Sequence, residues 1–283
     1  MKKVFFDCAR KIRDKNKWIR NNFLWRVLIP YWNAFKHKVY MQPISQEFFK
    51  ANENRVHSVA NLLADSESKK TFLSVINFRC TGNKKDVPCH GEQNQYFVND
   101  FFKYGSEEVL IDCGAFTGDT IEKFLALPSI GYKKIIAFEP DRANCKILSE
   151  KFKNNSKIEI LNAGVFESDG KMNFSETGDS ASNIQEKGES CIDTRSIDSV
   201  CSKLEDKVTF IKMDIEGAEL PALRGAKEII LHHKPRLAIC IYHSDQDMLS
   251  IAEYIHSTVP EYKLYVRQHN KDYFIETVLY AQL

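Results

Sequence analysis

Residues 109–120, VLIDCGAFTGDT, form the stretch around which the rest of the chain is organised. An apolar run ends in Asp112, and two glycines, Gly114 and Gly118, follow it. Together with the amphipathic segment that comes next, this pattern predicts a buried strand, a tight turn and the first turn of a helix. Small ligands bind at such turns in open α/β sheets, beside the carboxyl end of the strand.

Further apolar runs follow this strand and alternate with helical segments. The predicted strands are residues 134–138, 158–161, 208–213, 237–241, 263–267 and 274–279. Continuous Val, Ile and Leu runs are typical of parallel strands that are buried on both faces. A turn, rather than a helix, joins the last two runs. The sequence therefore predicts an α/β fold with a doubly wound, seven-stranded, mostly parallel sheet and one antiparallel edge strand.

Three further expectations concern helices and domains. The residue spacing predicts one helix over residues 220–232 and an aromatic helical face over residues 93–104. Asp141 has the residue type and position of an N-cap for the next helix. We place a domain boundary near residue 91, so that residues 1–90 are a helical, basic and aromatic extension and residues 91–283 are the α/β domain.

The beginning of the extension has an unusual composition. Its first forty residues carry eleven Lys and Arg against two Asp, together with all three tryptophans of the chain. This composition predicts an arm that docks its aromatic face on the main domain or on a second subunit. In the second case the protein would be a homo-oligomer. The alternative is attachment to an anionic membrane surface. A nucleic-acid partner is not expected, because no known reader motif accompanies the charge.

Cysteine usage and hydropathy bear on the compartment. The eight cysteines are scattered without CxxC pairs, and Cys80, Cys89 and His90 lack the second half of a zinc pattern. The sequence contains no run of about 18 apolar residues and no secretory signal pattern. We therefore expect a cytoplasmic protein, with a peripheral place at the inner membrane face as the alternative if the basic arm binds there.

The residues of the turn bear on which ligand binds there. A dinucleotide site has the pattern G-x-G-x-x-G, whose middle glycine lets the backbone approach a pyrophosphate. Here Phe116 stands where a small residue is needed, and Asp112 lies beside the turn. These residues suit S-adenosylmethionine better, because that ligand has no phosphate and carries an ammonium. Glu139, after the second strand, is placed to accept both ribose hydroxyls.

The predicted cofactor-binding residues lie on the turn or at the carboxyl ends of the predicted strands. They are Asp112, Gly114, Ala115, Phe116, Gly118, Asp119, Thr120, Glu139, Asn162, Ala163 and Asp214. Within this set, Asn162 and Ala163 follow the third strand and fall where the adenine edge would lie.

The chain resembles the FkbM-type methyltransferases, class I enzymes that depend on S-adenosylmethionine. The resemblance is carried by IDCGAFTGDT (111–120), FEPD (138–141), NAGV (162–165), IKMDIEGAEL (211–220), KPRLAICIYH (234–243) and ETVLYA (276–281). It covers the chain from about residue 91 to the end and implies a class I methyltransferase domain there. It also implies methyl transfer, usually to a hydroxyl oxygen, with sugars of bacterial surface glycans or secondary metabolites as frequent acceptors.

A hydroxyl acceptor benefits from positioning and from a general base. The catalytic candidates are Asp214, Glu216 and His243, at the ends of the fourth and fifth strands, and Arg267 and His269 are expected to reach the same rim. Structural alternatives stay open for each candidate. Asp214 could orient the cofactor or cap the following helix, and Glu216 could be a first-turn carboxylate that the helix dipole favours. His243 could be a structural histidine whose hydrogen bonds are satisfied. A divalent cation is a further alternative, but nothing in the spacing demands it, so no metal is predicted.

Residues 167–190 form a polar, Ser- and Gly-rich stretch that is too long for an idle connection. We interpret it as a lid or an acceptor-binding loop. Two other functions remain at this point: an NAD-dependent oxidoreductase or epimerase, which the Phe116 turn disfavours, and a catalytically inactive binding subunit with the same fold. The sequence does not identify the acceptor, whether a small molecule or a glycan.

Overall fold

A computed structural model describes residues 42–128, 130–175, 183–184, 190–271 and 275–283. The described helices are α1 Gln42–Ala51, α2 Glu53–Leu62, α3 Ser66–Thr81, α4 Asp119–Leu125, α5 Arg142–Phe152, α6 Ile197–Cys201, α7 Glu219–Arg224, α8 Lys227–His233 and α9 Asp245–Thr258. The described strands are β1 Glu108–Cys113, β2 Tyr132–Phe138, β3 Ile158–Leu161, β4 Gly164–Val165, β5 Gly170–Ser175, β6 Asn183–Ile184, β7 Ser190–Arg195, β8 Phe210–Met213, β9 Arg236–Cys240, β10 Lys263–Gln268 and β11 Thr277–Gln282.

Seven of the described strands form the main sheet, in the order β10-β11-β9-β8-β1-β2-β3. Strand β11 runs antiparallel to β9 and β10, and the other described pairs of this sheet are parallel. The predicted α/β fold with one antiparallel strand is therefore confirmed. That strand lies one position in from the edge, because β11 returns between β10 and β9. The strand order reverses at β1, beside β8, where a ligand crevice forms in such sheets.

Local sequence accounts for the elements around this crevice. Strand β1 is buried along its whole length, as its continuous apolar run requires. Asp141 accepts hydrogen bonds from the backbone N–H groups of Ala143 and Asn144, which confirms the predicted N-cap of α5. Ser244 caps α9 in the same way, through the N–H of Asp247. These caps fix where the chain leaves the sheet and turns into each helix.

The predicted single helix over residues 220–232 is wrong, because the chain forms α7 and α8 with a break between them. At the break, a Cβ on Gly225 would lie 2.3 Å from the carbonyl oxygen of Phe166, so the close approach requires a glycine. The carboxylate of Asp198 then caps α8 by accepting from the N–H groups of Glu228 and Ile229.

The predicted helical face over residues 93–104 is also wrong. The described chain has a 3-10 turn at Glu92–Asn94 and then irregular backbone, in which Tyr96 has a φ of 69°. The aromatic residues are buried all the same, because they pack directly on the sheet. The rings of Phe97 and Phe102 lie 5.6 and 5.5 Å from that of Phe210 in β8.

Helices α1, α2 and α3 pack on β10 and α9 and share the main core. Val59 and Phe72 belong to the same buried cluster as Leu264 of β10. Arg267 of β10 pairs with Asp65, at 2.8 Å, where α3 begins. The described part of the extension is thus helical, as predicted, but its core is continuous with that of the sheet. The domain boundary near residue 91 stays a prediction.

Two predicted segments fall wholly or partly outside the described residues. The basic arm, residues 1–40, is one, so its docking and membrane interpretations stay predictions. The other is residues 167–190, whose described parts contribute β5, β6 and the beginning of β7 to a small second sheet with the order β4-β7-β5-β6. The lid hypothesis also stays a prediction. Within the described ranges, no helix is both long and apolar enough to cross a membrane.

Candidate functional site

A cavity opens at the carboxyl ends of the parallel strands, where β1 and β8 meet. Five carboxylates line it: Asp119, Glu139, Asp214, Glu216 and Glu276. Among the described residues that line the cavity, Lys212 is the basic one. Its charge is balanced by the buried Asp112, so the remaining carboxylates give the cavity a negative potential. Such a site favours a cationic ligand.

The glycine turn is closed by hydrogen bonds of its own. The backbone N–H groups of Gly114 and Ala115 both donate to the carbonyl oxygen of Phe138, at 3.0 Å. The N–H of Phe116 donates to Glu139 Oε2 at 2.8 Å. A pyrophosphate needs free donors at such a turn, and these three donors are already used.

Gly114 allows the ends of β1 and β8 to approach each other. Its φ is 78°, and a Cβ there would lie 2.0 Å from the backbone oxygen of Asp214. A side chain would therefore meet both backbone strain and a direct overlap. The close approach brings Asp214 against the turn.

A buried ion pair lies beneath the turn. Lys212 and Asp112 are 2% and 0% exposed, and Lys212 Nζ lies 3.1 Å from Asp112 Oδ1. The same ammonium donates to Gly114 O at 2.8 Å and lies 5.2 Å from the centre of the Tyr96 ring. Burial raises the pKa of Asp112, and the ammonium opposes part of that rise. Lys212 thus holds the turn in place.

Glu139 and Asn162 fix the ends of β2 and β3. Besides the Phe116 contact, Glu139 accepts a hydrogen bond at Oε1 from the N–H of Asp141, at 2.9 Å. Burial raises the pKa of Glu139 to about 7. The amide of Asn162 donates to the carbonyl oxygens of Glu139 and Pro140, at 2.9 and 3.1 Å. The Glu139 carboxylate is therefore held in one orientation at the cavity wall.

Asp214 is gripped on both of its oxygens. The Tyr96 hydroxyl donates to Oδ2 at 2.8 Å, and the Tyr242 hydroxyl donates to Oδ1 at 3.1 Å. Burial alone would raise the pKa of Asp214. The positive charges of Lys212 and His243, with the two hydroxyl donors, outweigh burial and hold the pKa below its usual range. Asp214 is thus a fixed, ionised carboxylate.

His243 lies among three carboxylates. Its Nδ1 is 3.0 Å from Glu219 Oε1, and its Nε2 is 3.4 Å from Asp214 Oδ1 and 3.6 Å from Glu216 Oε2. Burial opposes a charge on the ring, but these carboxylates raise the pKa of His243 to about 9. Burial, reinforced by Asp214 and Glu219, raises the pKa of Glu216 to about 7. An imidazolium therefore sits beside a carboxyl group that titrates near neutrality.

The same cluster contains the groups that a divalent cation would use. One oxygen each of Asp214 and Glu219 and one nitrogen of His243 lie within 4.8 Å of one another. Glu219 also accepts hydrogen bonds from the backbone N–H groups of Ile215 and Gly217. Capping this turn is therefore a structural role for Glu219, as an alternative to metal binding. An imidazolium balances part of the negative charge, so the arrangement does not require a metal ion. The prediction of no metal stays a prediction.

Backbone strain is concentrated around the cavity. Five non-glycine residues in the described ranges have positive φ, and four of them line the cavity: Tyr96, Phe116, Glu216 and Glu276, at 69°, 49°, 57° and 67°. Each such conformation costs about 1–3 kcal/mol, and strained residues cluster at functional sites. This concentration singles out the cavity as the candidate functional site.

Comparison with known proteins agrees with this geometry. The Methyltransferase FkbM domain family matches residues 112–273, which is more than half of the chain. The chain belongs to this family. No curated protein matches the sequence.

Solved structures with a similar fold include a methyltransferase FkbM from Methylobacillus flagellatus KT. It has a TM-score of 0.73 and 29% sequence identity, and the match covers 83% of this chain and 60% of that protein. An rRNA methylase from Streptococcus thermophilus matches at 0.41 and 14% identity, over 63% of this chain and 87% of its own. Aeropyrum pernix fibrillarin, solved with S-adenosyl-L-methionine, matches at 0.42 and 10% identity, over 63% and 67%.

Most of the site residues predicted for the FkbM domain surround the cavity. Those that line it are Gly114, Phe116, Asp119, Thr120, Glu139, Ala163, Asp214 and Glu216. The predicted site residues that do not line it, all of them described, are Asp112, Ala115, Gly118, Asn162 and His243. Their roles toward a cofactor or acceptor stay predictions.

Other lining residues were missed by sequence reasoning, and some of them left a signal. Lys212 is a lysine inside an otherwise apolar buried strand, a position that requires a charge partner. Glu276 begins the ETVLYA segment of the FkbM resemblance. Tyr96 left no such signal, because its segment was interpreted as a helix. Tyr242 was expected at the same strand end as His243, but only His243 was considered as a site residue.

Arg267 and His269 do not reach the rim of the cavity, contrary to the sequence-based expectation. Arg267 is 3% exposed and turns toward Asp65. His269 is 1% exposed, and its two nitrogens contact Gly91 O and Tyr280 Oη, at 3.0 and 2.8 Å. Burial lowers the pKa of His269 to about 4. Their hydrogen-bond partners lie outside the cavity lining, so both act as structural groups.

Proposed function

We propose that this FkbM family member transfers a methyl group from S-adenosylmethionine to a hydroxyl oxygen of a sugar. The observation that supports this cofactor is the closed glycine turn beside a cavity lined by carboxylates. A pyrophosphate would need the N–H groups that the turn uses internally, and the carboxylates would repel it. A sulfonium and an ammonium would instead be attracted.

The residues of the chain fit such a cofactor at three places. Glu139 would accept the ribose hydroxyls, since each carboxylate oxygen keeps a lone pair beyond the one that takes a backbone N–H. Ala163 offers a small apolar wall for the adenine. Asp119 and Asp214 would face the positive charges of the methionine part. The cofactor, when bound, supplies an electrophilic methyl group.

Glu216 is the best placed group to take the proton of the acceptor hydroxyl. It lines the cavity with a 27% exposed side chain, and its pKa of about 7 matches a general base at neutral pH. Asp214 is a weaker base, because its pKa is held low, and it would orient ligands instead. As the carbon–oxygen bond forms and the carbon–sulfur bond breaks, the hydroxyl proton would pass to Glu216. His243 would keep both carboxylates in position.

The sugar acceptor rests on the FkbM resemblance and on the hydrogen-bond acceptors around the cavity. Sugar hydroxyls are donors, and carboxylates accept them without needing a positive partner. A surface glycan or a secondary metabolite would be the destination of such a sugar. The cytoplasmic location and a contact of the basic arm with the membrane belong to the same proposal.

The experiment compares ligands and acceptors on the full chain. Thermal shift with S-adenosylhomocysteine and with NADH, followed by transfer from radiolabelled S-adenosylmethionine to a panel of methyl glycosides, tests both parts. We expect stabilisation by S-adenosylhomocysteine alone, and label in at least one glycoside that Glu216→Gln abolishes. Stabilisation by NADH instead would support an oxidoreductase. No stabilisation and no transfer would support an inactive binding subunit.

A further inference from the structure

Two residues that contact the acceptor side of the cavity, which we define as the ends of β8 and β9, lie outside the FkbM domain match. Tyr96 and Arg79 both precede residue 112, where that match begins. We propose that Tyr96 and Arg79 are positioning residues, which hold Asp214 and Tyr242 at the ends of β8 and β9 for the transfer step. This inference rests on the proposed function. It makes the segment upstream of the family domain a working part of the active site.

Tyr96 reaches the site through a fixed backbone. It is 4% exposed, and its hydroxyl donates to Asp214 Oδ2 at 2.8 Å. Its own N–H donates to the Tyr280 hydroxyl at 3.1 Å, and that hydroxyl also contacts His269 Nε2 at 2.8 Å. These contacts hold Tyr96 in the left-handed conformation. A strained residue maintained by its surroundings in this way is characteristic of functional sites.

Tyr242 completes the grip on Asp214 from the opposite side. Its hydroxyl donates to Oδ1, so each carboxylate oxygen has one phenol donor. A carboxylate with donors on both oxygens cannot rotate freely, and its orientation is set before any ligand binds. The position of Tyr242 therefore matters as much as that of Tyr96.

Arg79 fixes the backbone that carries Tyr242. Its side chain is 1% exposed, its Nε lies 2.6 Å from Asp245 Oδ1, and its Nη1 donates to Tyr242 O at 2.9 Å. Burial lowers the pKa of this guanidinium, which means that burying the charge is costly. That carbonyl belongs to the peptide bond that joins Tyr242 to His243, and both of these side chains contact Asp214. Arg79 thus reaches from α3 to the centre of the site.

A second arginine of the extension provides a matched comparison. Arg55 in α2 also bridges to α9, with contacts of 2.9 and 2.7 Å to the carboxylate of Glu253. It makes a further contact to Ser250, in the middle of the same helix. Both arginines therefore dock the extension on α9, but Arg79 alone of the two also holds the end of β9. A purely docking role would make the two equivalent.

The first test removes single hydroxyls. In Tyr96→Phe, loss of a hydrogen bond to a charged group should lower kcat about tenfold or more, and by a larger factor than it raises KM for S-adenosylmethionine. Tyr104→Phe is the control, because the Tyr104 hydroxyl lies in the same segment and has no hydrogen-bond partner among the described residues. We expect it to keep the wild-type kcat. Turnover uses whichever methyl glycoside of the panel accepts the label.

The second test exchanges the arginines for lysine. A lysine lacks the planar guanidinium whose Nε and Nη1 make the two Arg79 contacts, so Arg79→Lys should lower kcat about tenfold and speed amide hydrogen exchange in residues 241–248. Arg55→Lys should leave kcat unchanged and affect exchange only near residues 250–257. Thermal unfolding of all four variants checks that stability losses are similar within each pair.

The inference is overturned if Tyr96→Phe and Arg79→Lys keep the wild-type kcat, or if the controls lose as much. It is also overturned if exchange in residues 241–248 is equal in the two arginine variants. If the proposed function itself is wrong, the wild type will neither bind S-adenosylhomocysteine nor transfer the methyl group. The exchange comparison still tests in that case whether Arg79 holds residues 241–248, because it needs no ligand.

Discussion

The two sides of the cavity are built by different rules. On the side proposed for the cofactor, at the ends of β1, β2 and β3, polar side chains bind backbone groups: Glu139 accepts two N–H donors, and Asn162 donates to two carbonyls. On the acceptor side, at the ends of β8 and β9, side chains bind side chains. There His243 Nε2 lies 3.4 Å from a carboxylate oxygen of Asp214 and 3.6 Å from one of Glu216.

This difference separates two tasks. Backbone partners hold a carboxylate in one place, which suits a ligand of fixed shape. Ionisable partners shift each other's pKa, which suits a group that must take up a proton near neutral pH. The two sides meet at a seam formed by Gly114, Lys212 and Asp112. Variants at the seam should therefore have larger effects than variants confined to one side.

Lys212→Met tests the seam most severely. It leaves the carboxylate of Asp112 buried without its counter-ion, which should lower the free energy of unfolding by about 3–5 kcal/mol. Urea unfolding measures the loss, and Asp112→Asn in the same chain should recover part of it. Lys134→Met is the control, since the pair of Lys134 with Glu159 is at the surface and worth at most about 1 kcal/mol. Equal losses would mean that the seam pair has no special role.

Gly114→Ala tests the backbone of the seam. The new Cβ would overlap the Asp214 backbone oxygen in a residue with positive φ, and we expect a loss on the order of 3 kcal/mol. Gly170→Ala is matched, because the nearest atom to its Cβ would be 3.7 Å away. Affinity for S-adenosylhomocysteine should fall together with turnover in Gly114→Ala. A loss of only one of them would show that the two sides do not share this contact.

The same contrast explains what the sequence could predict. On the cofactor side, the contacts of Glu139 with Phe116 and with Asn162 each span only 23 positions, so the turn, the strand ends and the N-cap at Asp141 could be predicted from local patterns. The apolar runs likewise predicted the strands and the antiparallel return. The break at Gly225 was missed because its cause, the approach of Phe166, is distant in the sequence.

The acceptor side depends on contacts that no local pattern contains. Strand ends identified Asp214 and His243 as candidates, but the hydroxyl on Asp214 Oδ2 comes from Tyr96, 118 positions away. The aromatic spacing around Tyr96 resembles a helix and gives no sign of a left-handed residue. The expectation that Arg267 reaches the cavity rim failed because of another distant contact. Its strand was predicted correctly, but its ion-pair partner Asp65 lies in the extension.

Glu139→Gln tests the cofactor side alone. An amide cannot accept at both of its ends, so one of the N–H groups of Phe116 and Asp141 would lose its acceptor. Affinity for S-adenosylhomocysteine, measured by calorimetry, should fall about 10- to 100-fold. The exposed Glu205→Gln serves as control. The separation of the two sides would be contradicted if Glu139→Gln also changed the pH at which turnover reaches half its maximum.

Glu216→Gln tests the acceptor side alone, and its effect on stability should be the smallest. Burial raises the pKa of Glu216 from 4.5 to about 7 in the folded protein, so the folded state binds the proton more tightly than the unfolded state. The wild type is therefore stabilised by this group below about pH 4.5 and loses that stabilisation as the pH rises through about 7.

An amide does not titrate, so the stability of Glu216→Gln relative to the wild type should rise between pH 5 and pH 8. Urea unfolding at both pH values measures this change, with Glu205→Gln as the exposed control. A pH-independent difference would mean that Glu216 does not titrate in this range, and the general base would then have to be sought among the other carboxylates of the cavity.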